Sequence, residues 1–220
     1  MSQSQAEFFD SIADQWDSWE GPDIAQRIAR VIQLADLQSA MRVLDVGTGT
    51  GVLLPGLSSA VGNQGRILAI DVSSGMLRVA AAKGVPDNVE ILQVSLEGLP
   101  PERSEFDRVM CNAVFPHFSD GAWALAKIHD ILKPGGRLVI SHPIGREAVN
   151  AIHSSSDSIV KEDSVPTSEV MHCLLAEAGF TEIEILDEPE FHAAIGRRAP
   201  PPACADQVEV SGATRGVTPQ

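Results

Sequence analysis

Tyrosine is absent from the 220 residues, so no phenol side chain can act as a base or nucleophile. Cysteine is scarce: Cys111, Cys173 and Cys204 form neither a CxxC pair nor a zinc-ligand pattern, and an odd, widely spaced set excludes a disulfide framework. Such usage fits a reducing compartment. Positive charge is also in short supply, with 16 Lys+Arg against 30 Asp+Glu and a net charge of −14. That balance repels polyphosphate backbones and anionic lipid, which excludes a broad nucleic-acid or membrane-surface role. No apolar run approaches the ~20 residues needed to span a bilayer. The first residues, Met-Ser-Gln-Ser-Gln-Ala-Glu, have neither the basic nor the apolar region of a signal peptide. A cytoplasmic location is expected.

What is present is the pattern of an α/β protein. Apolar strands are expected at Arg42–Val46, Ile67–Asp71, Val89–Val94, Phe106–Cys111 and Arg137–Ser141, alternating with helical stretches. Such alternation marks βαβ units on a parallel sheet. Two further strands, Ile183–Leu186 and Phe191–Ile195, are separated by only Asp187-Glu188-Pro189-Glu190, too short for a crossover helix. They are expected to form an antiparallel hairpin at one edge. Apolar residues at spacings of three and four predict helices at Gln5–Trp19, Asp23–Leu37, Asp120–Leu132 and Thr167–Ala178. Lys133-Pro134-Gly135-Gly136 is read as the stop of the third of these. The chain divides into an N-terminal helical segment (1–38), a main domain (39–198) and a proline-rich, then polar tail (199–220) expected to be disordered.

The most informative stretch is Val43-Leu44-Asp45-Val46-Gly47-Thr48-Gly49-Thr50-Gly51. A strand runs into three alternating glycines and then a helix expected at Val52–Ser59, an arrangement that offers unpaired backbone N–H groups to a ligand. The dinucleotide fingerprint G-x-G-x-x-G requires a glycine where Val52 stands, so a nicotinamide oxidoreductase is disfavoured. Asp45, inside the strand, suits a cationic ligand group such as an α-amine. The next strand ends in Asp71, placed to accept both hydroxyls of a ribose. Val72-Ser73-Ser74-Gly75-Met76 follows, with Ser73 or Ser74 as helix N-cap and Met76 able to lie against an adenine face.

From about Phe8 to Arg198 the sequence resembles the class I S-adenosylmethionine-dependent methyltransferases, in the small-molecule branch that includes ubiquinone/menaquinone-biosynthesis-like enzymes. The resemblance implies a Rossmann-like, seven-stranded, mostly parallel sheet with an antiparallel C-terminal hairpin and helices on both faces. It implies that Asp45, Gly47, Thr48, Gly49 and Gly51 hold the methionine end of S-adenosylmethionine. Asp71 then takes the ribose, Val72 and Met76 flank the adenine, and the Leu96 backbone N–H serves the adenine ring. Relatives carry an acid where Ser95 stands; its hydroxyl can accept the same adenine bond, but without charge assistance. Trp16, on the N-terminal segment that relatives use as a lid, is the expected pocket wall.

Methyl transfer from a sulfonium is an in-line displacement, so the protein supplies alignment, a closed site and, for a hydroxyl nucleophile, a base. In Asn112-Ala113-Val114-Phe115-Pro116-His117-Phe118, His117 is the candidate base or polar anchor and Asn112 lies near the methionine end. His142, at the exit of the fifth strand, is a further catalytic candidate. His142 and His153 are too far apart in sequence to share a helix face at i,i+4, so no metal is expected. The insertion after the fifth strand leaves room for a small-molecule acceptor rather than a protein or tRNA, with the chain a monomer or homodimer. A non-catalytic S-adenosylmethionine-binding or partner-assisting module is the alternative.

Overall fold

The structure is a computed structural model that describes residues 5–19, 21–101 and 105–200. Residues 201–220, most of the expected tail, lie outside the described residues. Seven strands form one sheet: β1 (Arg42–Val46), β2 (Arg66–Asp71), β3 (Val89–Gln93), β4 (Phe106–Asn112), β5 (Leu132–His142), β6 (Phe180–Glu188) and β7 (Phe191–Arg198). Their order is β3-β2-β1-β4-β5-β7-β6. The first five are mutually parallel, and β7 runs antiparallel to both β5 and β6. The expected α/β sheet and C-terminal hairpin are both present, with β7 inserted between β5 and β6. The chain reverses its direction of travel across the sheet between β1 and β4, and in such sheets ligands bind outside the carboxyl ends of the strands at that point.

The described helices are α1 (Gln5–Ile12), α2 (Ile24–Leu34), α3 (Leu54–Val61), α4 (Ser74–Ala82), α5 (Gly121–Ile131), α6 (Arg146–Ser155) and α7 (Ser168–Glu177). They cover both faces of the sheet. On one, Val31 of α2 and Leu54, Leu57 and Val61 of α3 pack on Val43, Ile67 and Val139. On the other, Leu125 and Ile128 of α5 and Met171 and Leu175 of α7 pack on Leu44, Val109 and Leu138. Coverage on both sides explains why β1, β4 and β5 are nearly continuously apolar. Among the described residues no helix is long and apolar enough to cross a membrane.

Three expectations need correction. The helix expected over Gln5–Trp19 breaks after Ile12; Gln15 N–H bonds back to the Ile12 carbonyl, and a 3₁₀ turn resumes at Trp16–Trp19. The apolar spacing does not record this reset, because Phe8, Phe9, Ile12 and Trp16 are only partly buried and Trp19 is exposed. The second is the start of the fifth strand, expected at Arg137: α5 does stop at Ile131, but β5 begins at Leu132 and runs through Lys133-Pro134-Gly135-Gly136 with a register shift opposite Phe106/Arg108. Gly135 (φ 79°) absorbs the irregularity. The third concerns the insertion after β5, which contains α6, capped by no side chain and burying only Val149.

The helix entries use the caps that their sequences announce. Ser73 Oγ accepts from Met76 N–H at α4, Asp120 from Trp123 N–H at α5, and Thr167 Oγ1 from Val170 N–H at α7. At the opposite end of the sheet from the crevice, the buried Arg108 guanidinium donates to the carbonyls of Ala35 and Asp36, which follow α2. It satisfies acceptors that a helix C-terminus leaves open and pins α2 to β4.

Candidate functional site

The crevice at the carboxyl ends of β1, β2 and β4 holds a cavity of about 230 Å³. Its floor is the glycine loop. Gly47, Gly49 and Gly51 have φ of 66°, 55° and 80°, a conformation that L side chains rarely adopt. At Gly47 space is the stricter limit, because an added Cβ would stand 2.3 Å from Val114 Cγ2. The loop is tied into the sheet by Thr48 N–H to the Ile70 carbonyl (3.0 Å) and Gly49 N–H to Asp71 Oδ2 (2.8 Å).

Two acids anchor this floor. Asp71, at the end of β2, accepts from Gly49 N–H through Oδ2 and from Ser73 N–H through Oδ1 (2.9 Å). Burial raises its carboxyl above the ordinary value against those backbone bonds. Asp45 lies beneath the loop, 1% exposed; Oδ2 accepts from Thr48 Oγ1 (2.7 Å), and Oδ1 has no partner among the described residues. Burial pushes its carboxyl up to about 7, reinforced by the Asp71 charge. No lysine or arginine lines the cavity, while Asp71 and Glu97 do. The site is therefore built for a ligand that brings its own positive charge. S-adenosylmethionine, with a sulfonium and an α-ammonium, fits these residues: an unpartnered buried carboxylate oxygen, an acid-ended strand and a loop too tight for side chains.

Of the residues expected from sequence, the structure brings Trp16, Gly47, Thr48, Gly49, Asp71, Val72, Met76, Ser95, Leu96, Asn112 and His117 to the cavity wall. Asp45 and Gly51 stand behind it. Gly51 packs toward Leu54 and Ala80, so it shapes the start of α3 rather than contacting a ligand. His142 is not among the lining residues. It is 2% exposed, its ring centroid is 6.1 Å from that of His192, and burial with the neighbouring imidazoles pushes it down to about 3. A neutral, enclosed imidazole there fills the sheet behind the site; the expectation of direct catalysis at His142 is corrected.

The lining also has features beyond those expectations, among them Glu97, Phe9 and Ala113. Ser95 Oγ already accepts from Gly98 N–H (3.2 Å), a local turn that claims part of its capacity. Glu97, two residues on, supplies an exposed carboxylate at the same wall. Phe9 joins Trp16 in an edge-to-face pair with centroids 6.0 Å apart and also touches the His117 ring at 5.1 Å. Ala113 has φ 55°, held by its N–H bond to the Ser141 carbonyl (2.7 Å). This strained residue turns the chain out of β4 directly into the cavity. Asn112 Oδ1 accepts from Ser141 Oγ (2.9 Å), joining the ends of β4 and β5.

The N-terminal segment lies over the opening. Asp10 accepts from Ser73 Oγ (2.6 Å) and Gly75 N–H (2.7 Å) at the start of α4, and these bonds hold its carboxyl below the usual range. Asp14 pairs with Arg78 (2.6 Å). Asp17 takes Thr50 Oγ1 (2.6 Å) with one oxygen and Lys83 Nζ (2.6 Å) with the other. Three acids on one strap thus clasp the glycine loop and α4, and hold Phe9 and Trp16 over the cavity.

Comparison with known proteins agrees with this architecture. The Methyltransferase domain family matches residues 43–136, from β1 to the glycines of β5. The ubiquinone/menaquinone biosynthesis C-methyltransferase of Shewanella frigidimarina is 33% identical over 113 residues, 50% of this chain and 45% of that protein. The chain thus aligns with about half the length of that relative. Among solved structures, a SAM-dependent methyltransferase from Aquifex aeolicus superposes with a TM-score of 0.67 at 24% identity, over 85% of this chain and 98% of that one. A Haloferax volcanii methyltransferase complex with the Trm112 methyltransferase activator gives 0.72 at 19% identity, over 90% and 100%. The family match falls on the segment that builds the glycine loop, the acid-ended β2 and the β4 exit, and over that segment the chain is similar to S-adenosylmethionine-dependent methyltransferases.

Proposed function

We propose that the protein transfers a methyl group from S-adenosylmethionine to a small-molecule acceptor in the 230 Å³ cavity. The observation that carries this reading is the pairing of two acids, the buried Asp45 and the half-buried Asp71, with a wall free of lysine and arginine. When bound, S-adenosylmethionine supplies the electrophilic methyl. The chain's own groups do the rest. Asp45 and the Gly47–Gly49 backbone receive the amino-acid end, Asp71 the ribose, and Val72, Met76, Leu96 and Ser95 or Glu97 the adenine. Asn112 and His117 face the remaining space, where the acceptor sits, and Phe9 and Trp16 exclude water from it.

Calorimetric titration with S-adenosylhomocysteine, and with NAD as a control, tests the site. Micromolar binding of the first and none of the second is expected; the opposite pattern would overturn the proposal. A panel of small acceptors then decides turnover. The alternative of a partner-assisted module draws support from the Haloferax volcanii neighbour, solved with an activator protein. Cofactor binding with no turnover by the isolated chain, and turnover on adding a second protein, would favour it.

A further inference from the structure

His117 is not an isolated imidazole. Its Nδ1 lies 2.7 Å from Asp163 Oδ2, with the two side chains only 10% and 18% exposed. The ring of His153, on α6, stands 5.1 Å from that of His117, and its Nδ1 lies 2.8 Å from the backbone carbonyl of the same Asp163. A carboxylate and a carbonyl can only accept, so each Nδ1 carries a proton and donates it. A neutral imidazole protonated at Nδ1 has a bare Nε2. Burial holds His153 below the ordinary imidazole range, in keeping with the neutral form. No hydrogen bond is made by Nε2 of either ring among the described residues. His117 lines the cavity between Asn112 and Phe118, under the edge of Phe9.

The geometry points to Asp163 as the positioning residue that fixes His117 as the Nδ1–H tautomer and so makes its Nε2 the proton acceptor for an acceptor whose attacking atom carries a proton, such as a hydroxyl or thiol. The proposal rests on the methyl-transfer reading above and specifies the acceptor class for that site. The X–H bond of the acceptor breaks toward Nε2, and its electron pair stays on X as the nucleophile. The proton converts His117 to an imidazolium, whose Nδ1–H remains paired with Asp163, and later leaves to solvent. An acceptor lacking such a proton, a tertiary amine for example, has no use for the arrangement. His153, anchored to the backbone of Asp163 rather than its side chain, sets the position of the loop that carries the carboxylate. Asn150 locks the same loop from α6, through Nδ2 to the Val165 carbonyl (3.1 Å) and Oδ1 to Val165 N–H (2.7 Å).

The test is a proton–nitrogen correlation spectrum of the histidine rings in the full chain near neutral pH, with and without S-adenosylhomocysteine. Signals of His117 are assigned by their loss in His117→Gln. In the unaltered protein both His117 and His153 are expected to show a protonated Nδ1 and a bare Nε2. Asp163→Ala moves His117 toward the Nε2–H form that imidazole favours in water, while His153 keeps its tautomer because the backbone carbonyl remains. Asp163→Glu restores the His117 signature, which a merely structural role for the loop would not require. A His117 protonated at Nε2 in the unaltered protein overturns the proposal, and this readout needs no variant to fold. So does a tautomer that Asp163→Ala leaves unchanged. Titration of both Nε2 signals by one equivalent of Zn²⁺ overturns it in favour of a metal-ligand pair. Loss of S-adenosylhomocysteine binding by the unaltered chain would undo the methyl-transfer reading instead, and the His117 tautomer would still be decided.

Discussion

Asp45 behaves unlike an ordinary aspartate because it is buried beneath the glycine loop. Burial pushes its carboxyl up to about 7 in the folded chain, well above the ordinary carboxylate range. Below pH ~4 both folded and unfolded chains hold the proton and nothing is lost. As pH rises from there through ~7 the unfolded chain releases the proton while the folded one keeps it, so stability falls across that window and levels off above it. At ~1.4 kcal/mol per pH unit the loss is on the order of 4 kcal/mol. Asp45→Asn removes it: thermal denaturation is expected to show a higher midpoint than the parent at pH 8 and no difference at pH 4. The same variant should weaken S-adenosylhomocysteine at least ten-fold by calorimetry, because the unpartnered Oδ1 is lost as a charged acceptor. A stabilised variant with unchanged affinity would show that Asp45 has no ligand role. Asp71→Ala should go further and abolish binding, since it frees both Gly49 N–H and Ser73 N–H as well as removing the ribose acceptor.

Among the elements, the strap of α1 and the 3₁₀ turn is held by polar clasps, not by core. No residue of α1 is buried, and its contacts to α4 run through Asp10, with Asp14 and Asp17 beyond it. Exposed ion pairs such as Asp14–Arg78 contribute little, whereas Asp10 satisfies open N–H groups at a helix start, a contribution of about 1 kcal/mol. Asp10→Ala is therefore expected to raise hydrogen exchange in residues 5–19 and weaken S-adenosylhomocysteine a few-fold, with the global unfolding midpoint almost unchanged. Asp14→Ala should do neither. Equal effects from the two would show that net charge, not the cap, holds the strap.

At the scale of the whole molecule, stability and ligand binding draw on different parts. Leu125 of α5 is fully buried in the core cluster on one face of the sheet and has no place in the cavity. Leu125→Ala should cost about 2–5 kcal/mol in denaturant unfolding, while S-adenosylhomocysteine affinity at low temperature stays within two-fold. Parallel strands β1, β2 and β4 deliver Val46, Asp71 and Asn112 to one edge of the sheet, so a rigid core sets the spacing of groups that lie far apart in sequence.

The sequence by itself determined the local events: where β1 runs into glycines, where β2 ends in an acid, that a serine at 73 or 74 caps α4, and that the last two strands must pair as a hairpin. Each is decided by residues within a few positions of one another, through backbone freedom, caps and strand spacing. The folded chain alone decided what depends on distant segments. It enclosed His142 and brought Asp163 to His117 across 46 positions. It also broke the N-terminal helix so that Asp17 reaches Thr50. The hold of α6 on Asp163 was not legible, because a carboxylate–imidazole contact leaves no mark in the spacing of its two residues. Burial did the same for Asp45: its position in the strand was plain, but the raised proton affinity exists only once the loop closes over it.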